Sequence, residues 1–256
     1  MSSLFQKLCD YQALFGLPGL VLALRSKAVC RPVQVRAKTG FAPHPLTFRL
    51  KTSDVPIAVQ IFLNQEYAFT PKRPIKTVID AGANTGFSAL YFAERFPEAQ
   101  IVALEPEQSN FDLLRENTAF CERIHPEKLA LWNEDVNLDV VDWFGKCGFR
   151  TKRPDEPMRR PTCETVAGIS IPSLMSRYGM EQIDFLKMDI EGAEKTILSG
   201  NPEWLSCVGV LAVELHDWLD PDCSNVFQQV AASFDVCWVR GENHFCAHKG
   251  WAECTS

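Results

Sequence analysis

Six residues with acid–base or ligand chemistry stand at or just beyond the ends of short apolar runs. Asp80 ends IKTVID, Glu105 ends IVALE, Asp189 ends IDFLKMD, and Glu214 and His216 close VGVLAVELH. Glu191 follows Asp189 by two residues and precedes Gly192 at a helix start, where a negative charge meets the positive end of the helix dipole. Short β-branched runs bounded by turns read as buried strands. In an open α/β sheet, ligands sit outside the carboxyl ends of the strands, near the switch in strand order. These side chains are therefore expected to converge in space despite their large sequence separations.

The sharpest local feature is Val78-Ile79-Asp80-Ala81-Gly82-Ala83-Asn84-Thr85-Gly86, a strand that turns directly into a helix. Gly82 permits a backbone torsion that side chains disfavour, and Gly86 lets the helix start lie close to the sheet or to a ligand. Backbone N–H groups at such a helix start bind anionic or polar groups. Glu105, 25 residues after Asp80, ends the next strand, where a carboxylate can take both hydroxyls of a ribose. Three readings compete: a plain strand-to-helix turn, a dinucleotide loop, and the S-adenosylmethionine loop of class I methyltransferases. The dinucleotide pattern G-x-G-x-x-G is not met. The third reading expects an acid, x, Gly, x, Gly, x, Gly, and here Asn84 takes the middle glycine's place.

Taken together, IDAGANTG, ALEPEQSNF and IDFLKMDIEGAE resemble the FkbM family of methyltransferases. That family is marked by D-x-G-A-N-x-G, by E-P after the second strand and by D-[IV]-E-G-[AS]-E after the fourth. These patterns stand here as Asp80 to Gly86, Glu105-Pro106 and Asp189 to Glu194. Glu214-Leu215-His216, Gly241-Glu242-Asn243 and the upstream TSD…QEYAF also look like family features, so the resemblance covers about residues 45–249. It implies an α/β, Rossmann-like class I methyltransferase fold, with a mainly parallel seven-stranded sheet and a C-terminal antiparallel hairpin. It further implies S-adenosylmethionine as cofactor and O-methylation of a sugar or polyketide-type hydroxyl. The positions that match the cofactor motifs are Asp80, Gly82, Ala83, Asn84, Gly86, Glu105, Pro106 and Asp189. Trp132, just after the third strand, reads either as a wall for the adenine or as ordinary core.

Methyl transfer to oxygen is an in-line displacement in which the nucleophile loses a proton as the sulfonium loses its charge. Positioning is expected to supply about 7–11 kcal/mol of the barrier, and a general base ~10²–10⁴-fold in rate. His216, whose imidazole titrates near neutrality, is the expected base. Asp189 is the alternative proton acceptor or the holder of the hydroxyl, and Glu191 the third catalytic candidate. His216 reads equally as a hydrogen-bond partner of Glu191 or Glu214, and Glu191 or Glu194 as a structural cap. Asp189, Glu214 and His216 are also a plausible hard-ligand set for Mg²⁺. No compact ligand motif marks such a site, so a metal is possible but not favoured. Two further function classes remain open, a non-catalytic S-adenosylmethionine-binding module and a nicotinamide-dependent oxidoreductase.

Residues 1–74 read as an N-terminal helical and strand extension, and residues 75–256 as the S-adenosylmethionine-binding domain. Within the extension, VQVRAK and LTFRL alternate as half-buried strands. TSDVPIAVQIFLNQEYAF reads as one helix capped by Thr52 or Ser53. From Ile75 the pattern alternates strand and helix, which argues a mainly parallel sheet. FSALYFAERF is the first crossover helix. Ser109 and Asp112 suggest a capping box for the second, and KLALW is the third strand candidate. SLMSRYG reads as a short helix, IDFLKMD and VGVLAVELH as further strands, and FDVCWVR-GEN-HFCAHK as a hairpin. FRTKRPDEPMRRP carries Arg150, Lys152, Arg153, Arg159 and Arg160 among three prolines. It reads as a basic loop, either a solvated surface or a lid over an anionic or sugar substrate.

The 256 residues give one large domain with an extension, and 46% apolar and 23% charged residues exclude disorder and simple coiled coil. The net charge of −6 offers no global footprint for nucleic acid. The longest apolar run, Leu14 to Leu24, is about half of the ~20 residues a membrane span needs and is broken by Pro18. No transmembrane segment is expected, although contact of this run with a membrane or a partner stays open. Ten cysteines without C-x-x-C spacing read as free thiols in a reducing compartment, and the location as cytoplasmic. The acceptor is expected to be a small-molecule or glycan hydroxyl. Its identity and the oligomeric state are not legible.

Overall fold

The computed structural model describes residues 4–143, 145, 148–157, 160–200 and 202–253. Two helices, α1 (Leu4–Phe15) and α2 (Leu17–Ala28), open the chain as a hairpin. The strands β1 (Val33–Ala37) and β2 (Leu46–Leu50) then pair antiparallel. The helix α3 (Asp54–Ala58) follows and runs on as a π-helical turn over Val59–Leu63. It is shorter than the periodicity of its sequence suggests. Neither Thr52 nor Ser53 closes it as a conventional cap: Ser53 makes no side-chain cap bond, and Thr52 Oγ1 accepts from the N–H of Asp54. The helix start is instead fixed by Asp54, fully buried, whose carboxylate takes the Arg49 guanidinium at 2.7 Å.

A short strand β3 (Thr70–Pro71) leads to β4 (Thr77–Ala81), α4 (Phe87–Arg95), β5 (Gln100–Leu104) and α5 (Gln108–Thr118). The cap of α5 is the Glu107 carboxylate, which accepts from Asn110 N at 2.7 Å, rather than a Ser109–Asp112 box. The third parallel strand is β6 (Ile124–Glu127), not KLALW. Pro126 is tolerated in β6 because the strand lies at the sheet edge. The expected strand KLALW supplies only β7 (Ala130–Leu131), which joins a second sheet with β8 (Asn137–Asp142), β9 (Phe149–Lys152) and β10 (Thr162–Ile169). The segment read as one basic loop begins as strand β9, and its described remainder from Arg153 is the turn between β9 and β10. Arg159 lies outside the described residues. Arg160 lies over the Trp143 ring at 4.9 Å, and Lys152 is buried with Nζ 3.2 Å from Asp139.

The chain continues through α6 (Ile171–Tyr178), β11 (Ile183–Met188), α7 (Glu194–Leu198) and β12 (Val208–Glu214). It ends with α8 (Cys223–Ala231), β13 (Val236–Arg240), β14 (Asn243–Ala247) and β15 (Ala252–Glu253). The central sheet has the order β13-β14-β12-β11-β4-β5-β6, parallel from β12 to β6 and antiparallel through β14 and β13. This is the Rossmann-like class I methyltransferase arrangement the sequence implied, C-terminal hairpin included. The order switches at β4, which has β5 on one side and β11 on the other.

Alternate residues of the central strands feed two cores. Val78, Ile101 and Phe185 face α4 together with Phe48 and Phe92, while Ile79, Val102 and Leu186 face α6, α8 and the second sheet. Helix α4 is buried from Phe87 to Ala93, because the N-terminal segment covers its outer side. Phe48 and Phe62 meet Phe87 there, and Tyr67 meets Phe92 at 5.5 Å. The strand pair β3–β15 ties the same segment to the far end of the chain.

One expectation about the cysteines is corrected. Cys237 and Cys246 stand directly opposite in the β13–β14 ladder, 4.2 Å apart at Cα, and are joined as a disulfide. Cys9, Cys30, Cys121, Cys163, Cys207 and Cys223 are free, whereas Cys147 and Cys254 lie outside the described residues. Among the described residues no helix is long and apolar enough to cross a membrane.

Candidate active site

A cavity of about 350 Å³ opens at the carboxyl ends of β4, β5, β11 and β12, within the size range of small-ligand sites. One end is built from backbone. Gly82, at φ +79°, lies so close to β11 that an added Cβ would stand 1.8 Å from the Asp189 carbonyl oxygen. No side chain fits there. The N–H groups of Gly82 and Ala83 donate to the Leu104 carbonyl, which pins the loop to β5. Gly86, also left-handed at φ +90°, precedes α4 where Leu114 Cδ1 leaves 2.9 Å for a Cβ.

Glu105 closes this end. Its Oε2 accepts from Asn84 N at 2.9 Å and its Oε1 from Glu107 N at 3.0 Å. Burial raises its pKa to about 7, against the pull of these hydrogen bonds. Gly82, Ala83, Asn84, Glu105 and Pro106 all line the cavity, as the sequence motifs imply. Three expected cofactor residues, Asp80, Gly86 and Trp132, do not, and Gly86 is packed against Leu114 and Thr118 of α5 instead. Asp80 is fully buried: its Oδ2 accepts from Ser88 Oγ at 2.6 Å and its Oδ1 lies 3.2 Å from Lys187 Nζ. It supports the loop from behind. Trp132 is buried in the second core beside Leu138, so its ring is packing, while the neighbouring Leu129, Ala130 and Leu131 form the wall.

Lys187 was missed by the sequence reading. Its ammonium sits beside the carboxyl ends of the neighbouring parallel strands β4 and β11, donating to the Gly82 carbonyl at 2.7 Å and lying 3.6 Å from Asp189 Oδ2. Burial works against its charge, but Asp80 and Asp189 together raise its pKa. A lysine in the middle of a strand buried on both faces was the available signal, since such a residue is almost never left unpaired.

The other end of the cavity is acidic. Asp189, Glu191 and Glu214 lie on its wall, as expected from the strand ends. His216 is only 3% exposed and stands behind them. Its Nδ1 is 3.0 Å from Glu194 Oε1, and its Nε2 faces Glu191 and Glu214 at 3.6 Å and Asp189 at 3.9 Å. Burial disfavours its charge, yet Glu194 and the surrounding carboxylates outweigh this and raise its pKa to about 10. The ring thus stands behind the cavity wall, held by Glu194, rather than free on the cavity surface. The same crowding raises Glu191, first through burial and then through Asp189, to about 7.

Glu194 is the organiser of this corner. Fully buried, it accepts from the N–H of Ile190 and of Gly192 as well as facing His216. It thereby holds Glu191 and Gly192 in their left-handed conformations, at φ +56° and +97°. Further wall comes from the N-terminal segment and the hairpin turn, with Gln60, Glu66, Tyr67, Glu242 and Asn243, and from Phe149 and Thr151 of β9. Gln60 Nε2 donates to Glu242 Oε2 at 3.1 Å, and Arg240 Nε donates to the Gln65 carbonyl at 2.7 Å, so the two segments clasp each other.

The model of the methyltransferase FkbM domain matches residues 80–235, well over half of the chain. The chain belongs to the FkbM methyltransferase family. It is similar to methyltransferase sdnD of Sordaria araneosa, 28% identical over 56% of this chain and 67% of that one. Methyltransferase 1 of Beauveria bassiana is 25% identical over 62% and 72% of the two chains. The 2-O-methyltransferase NoeI of Sinorhizobium fredii is 23% identical over 57% and 65%. Among solved structures, the O-methyltransferase TomG of Streptomyces achromogenes is 12% identical, with a TM-score of 0.42 over 78% and 82% of the chains. That likeness is weak, and the fold rests on this chain's own strand order. As an FkbM protein it is a methyltransferase.

Proposed function

We propose that this FkbM protein is an S-adenosylmethionine-dependent O-methyltransferase acting on a hydroxyl of a small metabolite, sugar or polyketide-type acceptor. One observation carries the reading: a single cavity joins a loop of backbone donors and a ribose-type carboxylate, Glu105, to a carboxylate group at Asp189, Glu191 and Glu214. The oxygen reading is supported by the name of the relative NoeI, a 2-O-methyltransferase.

In this account Gly82, Ala83 and Asn84 hold the cofactor's amino-acid portion and Glu105 its ribose. S-adenosylmethionine supplies the methyl group. Asp189, on the wall and next to the loop, holds the acceptor hydroxyl in line and takes its proton. Glu191 flanks it, and His216 braces the group from behind. Gln60, Glu66 and Glu242 line the acceptor end, so residues 1–74 act as an extension that completes the pocket of a methyltransferase unit spanning 75–256. Among the described residues this lining is acidic and its one lysine, Lys187, is held by Asp80 and Asp189, which favours a neutral polyol or sugar over an anion. A basic lid is not part of the proposal, and neither is a nucleic-acid acceptor. A cytoplasmic setting is.

The test is methyl transfer from radiolabelled S-adenosylmethionine to a panel of hydroxylated acceptors, with calorimetry of cofactor binding alongside. Transfer to a neutral hydroxylated acceptor is expected. Cofactor binding without turnover on any acceptor favours a non-catalytic module. Tight binding of NADH in place of S-adenosylmethionine favours an oxidoreductase.

A further inference from the structure

We infer that Asp189, Glu214 and His216 form a binding site for a divalent cation of the Mg²⁺ or Mn²⁺ type, at the carboxyl ends of β11 and β12. One ligand atom of each, a carboxylate oxygen or an imidazole nitrogen, lies within 4.8 Å of the others. His216 Nε2 is 3.6 Å from Glu214 Oε1 and 3.9 Å from Asp189 Oδ1. These separations are too long for hydrogen bonds. They suit atoms grouped around one cation, because ligands about 2.0–2.2 Å from a metal stand roughly 3–4 Å from each other.

Three features outside the ligand set point the same way. Glu194, fully buried, faces His216 Nδ1 at 3.0 Å, which places the ring proton on Nδ1 and turns the Nε2 lone pair toward the carboxylates. A carboxylate behind an imidazole is the usual support of a metal-bound histidine. Asn243 is the second feature. It is only 2% exposed, its Oδ1 has no hydrogen-bond partner, and it lines the same cavity. It pairs in register with Glu214 across β12 and β14, so the two side chains share one face. A buried amide oxygen is costly to leave unpaired, and a cation or its bound water supplies the partner. Third, four carboxylates, those of Asp189, Glu191, Glu194 and Glu214, crowd His216. The nearby Lys187 ammonium is shared between Asp80 at 3.2 Å and Asp189 at 3.6 Å. Crowded carboxylates with too little positive charge are expensive to bury, and a divalent ion offsets them.

Two carboxylates and one imidazole match Mg²⁺ or Mn²⁺ better than a thiolate-seeking metal. Asp189 and Glu214 reach the cavity wall, so the open coordination positions lie where an acceptor oxygen arrives. A hydroxyl bound there gives up its proton more readily.

The inference does not depend on the choice of methyl donor, and its test is separable from that reading. The full chain is stripped with a chelator and titrated with Mn²⁺, with free Mn²⁺ followed by electron paramagnetic resonance and Mg²⁺ as competitor. One Mn²⁺ per chain is expected, with affinity lowered at least tenfold in Asp189→Asn and in His216→Ala. Thermal melts and S-adenosylmethionine calorimetry on the same samples report whether each variant is folded and whether the cofactor end is intact. Because Asp189→Asn is nearly isosteric, it stays informative if His216→Ala unfolds. Absence of Mn²⁺ binding at millimolar concentration overturns the inference, as does Mn²⁺ binding that a folded Asp189→Asn leaves unchanged.

Discussion

The two ends of the cavity are made differently. The end proposed for the cofactor is mostly backbone: one short stretch, Gly82 to Asn84, fixed by hydrogen bonds to Leu104 and to the Glu105 carboxylate. The acceptor end is side chain: Gln60, Glu66, Asp189, Glu214 and Glu242 arrive from four separate segments. A backbone site tolerates change only where its torsions are kept. A side-chain site can be rebuilt residue by residue without disturbing the sheet, which is how one methyl-donor frame serves many acceptors.

This contrast predicts that changes at the acceptor end reduce turnover while sparing cofactor affinity. The largest effect is expected for Asp189→Asn. Turnover should fall ~10²-fold or more, with the cofactor dissociation constant from calorimetry moving no more than about threefold. A parallel loss of cofactor affinity would blur the distinction between the two ends.

Glu105→Gln should act in the opposite sense. Removing a charged partner of the ribose hydroxyls costs about 1.5–3 kcal/mol, so the cofactor KM should rise roughly 10–100-fold, with the acceptor KM little changed. The same variant carries a pH signature. The folded-state pKa of Glu105 lies at about 7, above its ordinary value. The folded protein therefore keeps a proton that the unfolded chain has lost. The stability this proton confers is full below the unfolded pKa and is lost as pH rises to about 7. Melting curves of the ligand-free protein should show that decline, and Glu105→Gln should remove its share.

Smaller effects are expected at the clasp. Glu242→Gln or Gln60→Ala should raise the acceptor KM about three- to tenfold, without altering the melting temperature by more than ~2 °C. The smallest is Arg160→Ala. Its guanidinium lies over Trp143 on the second sheet. Steady-state kinetics should show an acceptor KM within about twofold of the parent, and a larger rise would bring the basic turn back as part of the acceptor end.

The same division explains what could be read from the sequence. The loop at Gly82, the acid at Glu105 and the alternation of strand and helix are local patterns, and the structure places them as expected. Asp80 was legible as a strand-end acid, but not as the buried partner of Lys187, because their contact spans more than a hundred residues. Glu194 looked like a helix cap, and its hold on His216 depends on how the chain returns after β12. The second sheet was hidden because β7 has only two residues and β9 four, and Arg150 and Lys152 made β9 and the turn beyond it read as a basic loop. The Cys237–Cys246 pair left a usable trace. The hairpin centred on Gly241-Glu242 sets the two cysteines opposite each other by simple counting.

The central claim is that the Asp189 end of the cavity places an oxygen nucleophile in line with the methyl group of S-adenosylmethionine. The most direct test is NMR of the product formed with ¹³C-methyl S-adenosylmethionine and the best acceptor of the panel. The account predicts a single O–CH₃ resonance, released with one equivalent of S-adenosylhomocysteine and absent with Asp189→Asn. A methyl group on nitrogen or carbon, or an O–CH₃ product that Asp189→Asn still forms at the parent rate, would contradict it.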